Sequence, residues 1–229
     1  MSLQTQLETL EIEPTEAANA SVIWMHGLGA DANDFYGIAP ELQLPAGVEV
    51  RYVFPNAPRM PVTINGGMVM QAWYDVKGIG ERDQDEDGIR ASADRLYQLL
   101  DREVARGVPS NRIILAGFSQ GGAMALFAGL RYPRRLAGVI CLSGYLVLAD
   151  TFCEEGTEAN KSTPIFQAHG SSDPTVPLDL ALRSRDALAG ADYAVTWREY
   201  MMGHQVHLQE IRDLGVWMAH TLTDSPSDT

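Results

Sequence analysis

The stretch "NRIILAGFSQGGAMALFAGL" (111–130) changes character at its midpoint. Up to Phe118 it is a short apolar run with β-branched residues, the pattern of a buried strand. From Gln120 onward Ala, Met, Leu and Phe recur at helical spacing. No Pro, Asn or Asp separates the halves; the joint is Gly117-Phe118-Ser119-Gln120-Gly121. A reversal that sharp forces its central residue into a sparsely populated conformation and brings strand and helix backbones together. Gly117 and Gly121 supply clearance, and the apex side chain projects into open space. Strand, turn and helix in this order are the context in which G-x-S-x-G presents a nucleophilic serine. The plain alternative is a small residue at a tight turn.

Around this joint, strand-like and helix-like segments alternate. "SVIWMH" (21–26), "VEVRYVFP" (48–55), "LAGVICLSGY" (136–145), "PIFQAHG" (164–170) and "AVTWREY" (194–200) read as strands. "DGIRASADRLYQLLDREVARG" (87–107) reads as an amphipathic helix with Ile89, Ala93, Leu96, Leu100 and Val104 on its apolar stripe, ended by Gly107 and Pro109. Further helices are expected at 178–191 and 207–220. Such alternation implies a single α/β domain over 1–222, with a mostly parallel sheet covered on both faces. The polar tail 223–229 is expected to be disordered. "PNAPRMPVTINGGMVMQAWYDVKGIG" (55–80) has little periodicity and reads as a long, functional loop.

Composition narrows the partners. A net charge of −13 over 229 residues argues against nucleic acid or an anionic membrane surface. There is neither a basic, apolar leader nor a run long enough to span a bilayer, so no stable membrane insertion is expected, and a cytoplasmic location is. Two cysteines, Cys141 and Cys153, make no disulfide framework, and Cys141 in "GVICLSGYL" reads as a small core residue.

In open α/β sheets ligands bind beyond the carboxyl ends of strands, so partners for Ser119 are sought on loops following later strands. Asp173 follows one such strand in "HGSSDPTVP"; His204 follows the next in "MMGHQVH". The order Ser119, Asp173, His204 is nucleophile, acid, histidine. A serine hydroxyl is a poor nucleophile until an imidazole takes its proton, and a carboxylate fixes the imidazole tautomer. Asp173 also suits a turn before Pro174. His207, three residues after His204, competes with it as the base. His26 and His169 read as loop-orienting residues, and His220 as facing a helix dipole. Negative charge on an acyl oxygen needs backbone donors. Gln120, at the helix N-terminus, offers one; Leu28, between Gly27 and Gly29 in "MHGLGAD", offers the second, its alternative being simple packing.

The strings "HGLGADANDF", "FPNAPRMPVTINGG", "AWYD", "GFSQGGAMAL", "HGSSDPTVP" and "GHQVH" occur in this order over about residues 21 to 217. Together they resemble the carboxylesterase/acyl-protein thioesterase family of lysophospholipase-like α/β-hydrolases, in the form of a bacterial carboxylesterase. The resemblance implies Ser119 as nucleophile, Asp173 as acid, His204 as base, and the amides of Leu28 and Gln120 as oxyanion donors. It implies no cofactor, no large helical lid, and an apolar acyl groove bordered by 55–80. The substrate would be a small acyl ester or thioester, with lysophospholipids also within the family's range. Similar members form homodimers.

Two short strings point elsewhere. "GLGADA" (27–32) fits G-x-G-x-x-A after a strand, with Glu49 about twenty residues on, as in dinucleotide-binding oxidoreductases. Against this, Pro40 cuts the following helix short and Glu49 begins its strand. "DQDEDGIRASAD" (83–94) approaches a calcium loop, but has Asp94 where Glu is expected and Arg90 at an apolar position. An acidic helix N-terminus, favourable to the helix dipole, is the better account of it. A catalytically inactive hydrolase scaffold acting as a binding protein would carry the same motifs.

Overall fold

The computed structural model describes residues 6–80 and 82–223. Seven strands form one sheet: β1 (Thr9–Ile12), β2 (Ala20–Met25), β3 (Val50–Pro55), then β6 (Ile113–Phe118), β7 (Gly138–Leu142), β8 (Ile165–Gly170) and β9 (Val195–Tyr200). A separate two-stranded hairpin is made by β4 (Arg59–Val62) and β5 (Met68–Gln71). The sheet order is β1-β3-β2-β6-β7-β8-β9. All pairs are parallel except β1 with β3.

The helices are α1 (Glu86–Ala105), α2 (Gln120–Arg131), the short α3 (Phe152–Glu155), α4 (Leu178–Gly190) and α5 (Leu208–Thr223). Alternate residues of a strand face opposite sides of the sheet, and β2 shows the consequence. Ile23 and Met25 join a core with α1, α2 and α4, while Val22 and Trp24 join a second core with α5. Helices thus cover both faces, as the alternation of segments implies.

Several local expectations change. The strand expected over 136–145 pairs only from Gly138 to Leu142, because Ser143 turns away with φ +48°. The 55–80 segment is not a loop throughout; it holds the β4–β5 hairpin, registered Arg59↔Gln71 to Val62↔Met68. "GLGADA" opens no α-helix. Turns follow β2, and the next helical element is a 3₁₀ turn at Ala39–Leu42, so the dinucleotide fingerprint lacks its phosphate-binding helix. The calcium-like string is interrupted by a helix start, since Asp85 caps α1 by accepting the N–H of Gly88. Thr223, assigned to the tail from composition, is the last residue of α5, and 224–229 lie outside the described residues.

Candidate active site

Ser119 sits between β6 and α2 with φ +54° and ψ −118°, a conformation L-residues rarely adopt. The glycines explain how the strain is held. A Cβ on Gly117 would lie 2.2 Å from the backbone of Gly121, so strand and helix touch there. A Cβ on Gly121 would meet not β6 but the neighbouring strand, 2.4 Å from the oxygen of Met25. The elbow is therefore wedged between two strands. Its backbone is fixed further by the Ser119 N–H donating to Leu142 at 2.8 Å.

Three loops at the carboxyl ends of β6, β8 and β9 converge on the serine. His204 Nδ1–H donates to Asp173 Oδ2 at 2.7 Å, and His204 Nε2 faces Ser119 Oγ at 2.9 Å. The other oxygen of Asp173 accepts the N–H groups of Thr175 (2.8 Å) and Val176 (2.9 Å), so both carboxylate oxygens are occupied and the acid cannot swing. With Nδ1 holding the proton toward Asp173, Nε2 presents its lone pair to the serine hydroxyl. The ring of Phe118 packs on the imidazole at 4.8 Å between centroids.

The remaining histidines separate cleanly. His207 is not part of this chain; its Nδ1 accepts the N–H of Gln209, while its own N–H donates to Glu210 Oε2 at 3.1 Å. That is a reciprocal cap on the first turn of α5. His169 donates from Nε2 to the oxygen of Val176 at 2.9 Å and so pins the turn that holds Asp173. His26 donates from Nδ1 to Gly27 at 2.7 Å and accepts the Ala57 N–H on Nε2. Burial lowers the pKa of both His26 and His169, keeping them neutral. His220 is exposed near the end of α5.

Leu28 and Gln120 both line the cavity in front of Ser119. Gln120 begins α2, so its N–H has no acceptor within the helix. The Gln120 side chain does something the sequence did not signal. Its Oε1 accepts the Trp73 N–H at 2.9 Å and its Nε2 donates to Tyr74 O at 2.8 Å, locking "AWYD" against the elbow. On the opposite side, Gly29 N–H donates to Gln71 O of β5 at 2.9 Å, joining the Leu28 loop to the hairpin. The cavity, about 350 Å³, has an apolar wall of Ile64, Val76, Ile79 and Val176. Among the described residues no group of His, Cys, Asp or Glu is arranged to hold a metal ion, and no helix is long and apolar enough to cross a membrane.

Residues 8–222 match the model of the phospholipase/carboxylesterase family. The chain belongs to that family. It is accordingly a serine hydrolase of ester and thioester bonds. Among relatives of this hydrolase, acyl-protein thioesterase 1 of Neurospora crassa is 41% identical over 202 residues, covering 84% of this chain and 82% of that protein. Of solved structures, Arabidopsis thaliana SOBER1 superimposes with TM-score 0.84 at 28% identity, covering 90% of this chain and all of that one. Zea mays acyl-protein thioesterase 2 gives TM-score 0.81 at 28% identity, covering 94% of this chain and 99% of that one.

Proposed function

We propose that the hydrolase works through an acyl-serine intermediate on Ser119, with substrates whose acyl chain lies on the apolar wall of the cavity. The observation that carries this is the continuous hydrogen-bond chain Ser119–His204–Asp173 at a strained elbow. His204 Nε2 takes the serine proton as Oγ attacks the acyl carbonyl, and then delivers it to the departing alcohol or thiol. The N–H groups of Leu28 and Gln120 stabilise the oxyanion. Water, deprotonated by the same imidazole, then releases the acid. Asp173 holds the imidazole in the required tautomer and stabilises its protonated form.

Acyl-protein thioesterases among the relatives support thioesters as well as oxygen esters as substrates. The narrower likeness to a bacterial carboxylesterase rests on the motif strings alone, and the curated relative described above is fungal. A cytoplasmic working place belongs to the same proposal; it is supported by two cysteines, Cys141 and Cys153, that remain free. A homodimer is the family-based expectation for its assembly, to be read from the molar mass in solution by light scattering.

Labelling with a fluorophosphonate, followed by peptide mapping, tests the mechanism. The expected adduct is on Ser119, with label and ester turnover both lost in Ser119→Ala. An adduct on another serine overturns the assignment.

A further inference from the structure

Among the described residues that line the catalytic cavity, Asp34 supplies the only carboxylate. It stands on the turn after the Leu28 loop, and among the described residues no hydrogen bond or ion pair engages its side chain. Asp34 is exposed as a residue, while desolvation of its carboxyl, with a smaller contribution from Asp31, raises its pKa above the ordinary carboxylate value. A carboxylate left without a partner beside a substrate cavity is a ready contact for a positive charge.

The arrangement of the lining gives that charge a place. Ile64, Val76 and Ile79 give the lining an apolar wall suited to an acyl chain. Asp34 lines the cavity with Leu28, Ala30 and Phe118. Phe118 packs on His204, the group that hands a proton to the departing alcohol or thiol in the mechanism above. Phe35, next to Asp34 in the chain, packs on Phe118 with ring centroids 5.8 Å apart, so a leaving group departing past His204 lies toward Asp34. A cation there meets attraction from Asp34. The net charge of −13 adds long-range attraction for cationic substrates.

We infer that Asp34 forms a subsite for a positively charged leaving group, so that this hydrolase prefers acyl esters and thioesters of cationic alcohols and thiols. This rests on the acyl-serine reading but is tested separately from it. The probes are S-butyrylthiocholine and its uncharged isostere, the 3,3-dimethylbutyl thioester of butyric acid, which share an acyl group and leaving-group shape. The readout is the ratio of kcat/KM, cationic over neutral, in wild type, Asp34→Asn and Asp31→Asn. At low ionic strength the wild-type ratio is expected to fall about tenfold in Asp34→Asn, as for a charge pair a few ångströms apart in partly screened surroundings. Asp31→Asn, whose carboxylate does not line the cavity, should change it less than about twofold. Adding salt to 0.5 M should lower the ratio in wild type and barely move it in Asp34→Asn. An unchanged ratio in Asp34→Asn, or an equal fall in Asp31→Asn, overturns the subsite. The hydrolase reading is judged independently, by whether wild type cleaves the neutral thioester and Ser119→Ala does not.

Discussion

The indole N–H of Trp73 donates to the backbone oxygen of His26 at 2.9 Å, across 47 positions of sequence. Through this bond the segment behind the hairpin grips the strand end from which the Leu28 loop departs. Gln120 grips the same segment from the elbow. The two proposed oxyanion donors are thus held through one shared piece of backbone, residues 73 and 74.

Replacing Gln120 by leucine keeps its backbone N–H but leaves the Trp73 N–H and the Tyr74 carbonyl buried without partners. The expected cost is about 3 kcal/mol in stability. A fall in kcat of about tenfold with little change in KM should accompany it, because the donor is misplaced where charge develops. Urea unfolding and steady-state ester kinetics on the same preparation check both. A wild-type kcat would show that the clamp serves the fold alone.

His204→Ala should lower kcat by about 10⁴-fold or more. His207→Ala should leave kcat within about threefold and cost about 1 kcal/mol of stability, since it removes a helix cap. Reversed results in nitrophenyl ester assays would assign the base to His207.

In Asp173→Asn the amide oxygen can still accept the N–H groups of Thr175 and Val176, which turns the amide N–H toward His204 Nδ1. That favours the tautomer with its proton on Nε2, facing the serine. The expected loss in kcat is about 10⁴-fold, without global unfolding. By contrast Asp179→Asn breaks only a surface pair with Arg183 and should be close to silent. Near-normal turnover in Asp173→Asn would remove it from the mechanism.

Glu210 is fully buried beneath the start of α5, and burial raises its pKa from 4.5 to about 7. A carboxyl whose pKa rises on folding binds its proton more tightly in the folded state, so folding is favoured below 4.5 and loses support as pH climbs toward 7. The loss is at most about 3 kcal/mol. Glu210→Gln keeps an acceptor for the His207 N–H and cannot ionise. It should be more stable than wild type at pH 8 and about equal at pH 4, by denaturant titration at the two values. Equal stability of the two proteins at pH 8 would mean the buried carboxylate costs nothing.

The α/β architecture was legible because its signals are local. Apolar runs marked β2, β3, β6, β8 and β9, and the stripe from Ile89 to Val104 marked α1. The elbow was legible for the same reason, since Gly117, Ser119 and Gly121 lie within five residues. Short elements escaped, among them two strands. β1 is four residues long, half-buried, and finds its partner only at Tyr52–Pro55. The hairpin strand β5, "MVMQ", lacks alternation because Met68 and Val69 are both exposed. In the site, strand ends located Asp173 and His204, because the sheet carries them to one edge. Which of His204 and His207 turns inward depends on the helix start, and only the cap at Glu210 decides it. The second partner of Gly121 also escaped, because Met25 lies almost a hundred residues upstream.

Ser119 and His204 are anchored very differently. The serine rises from β6, fourth of seven strands, whereas the imidazole follows β9, one of the two edge strands, half-exposed along its length. Edge strands open at lower free energy than central ones. The proposed reacting pair therefore spans a central and an edge strand of the sheet. On warming, catalytic power should disappear while the core is still intact, the imidazole drifting off first and returning on cooling. For this enzyme the activity optimum reports the hold of β9 on β8, and the melting temperature reports something else.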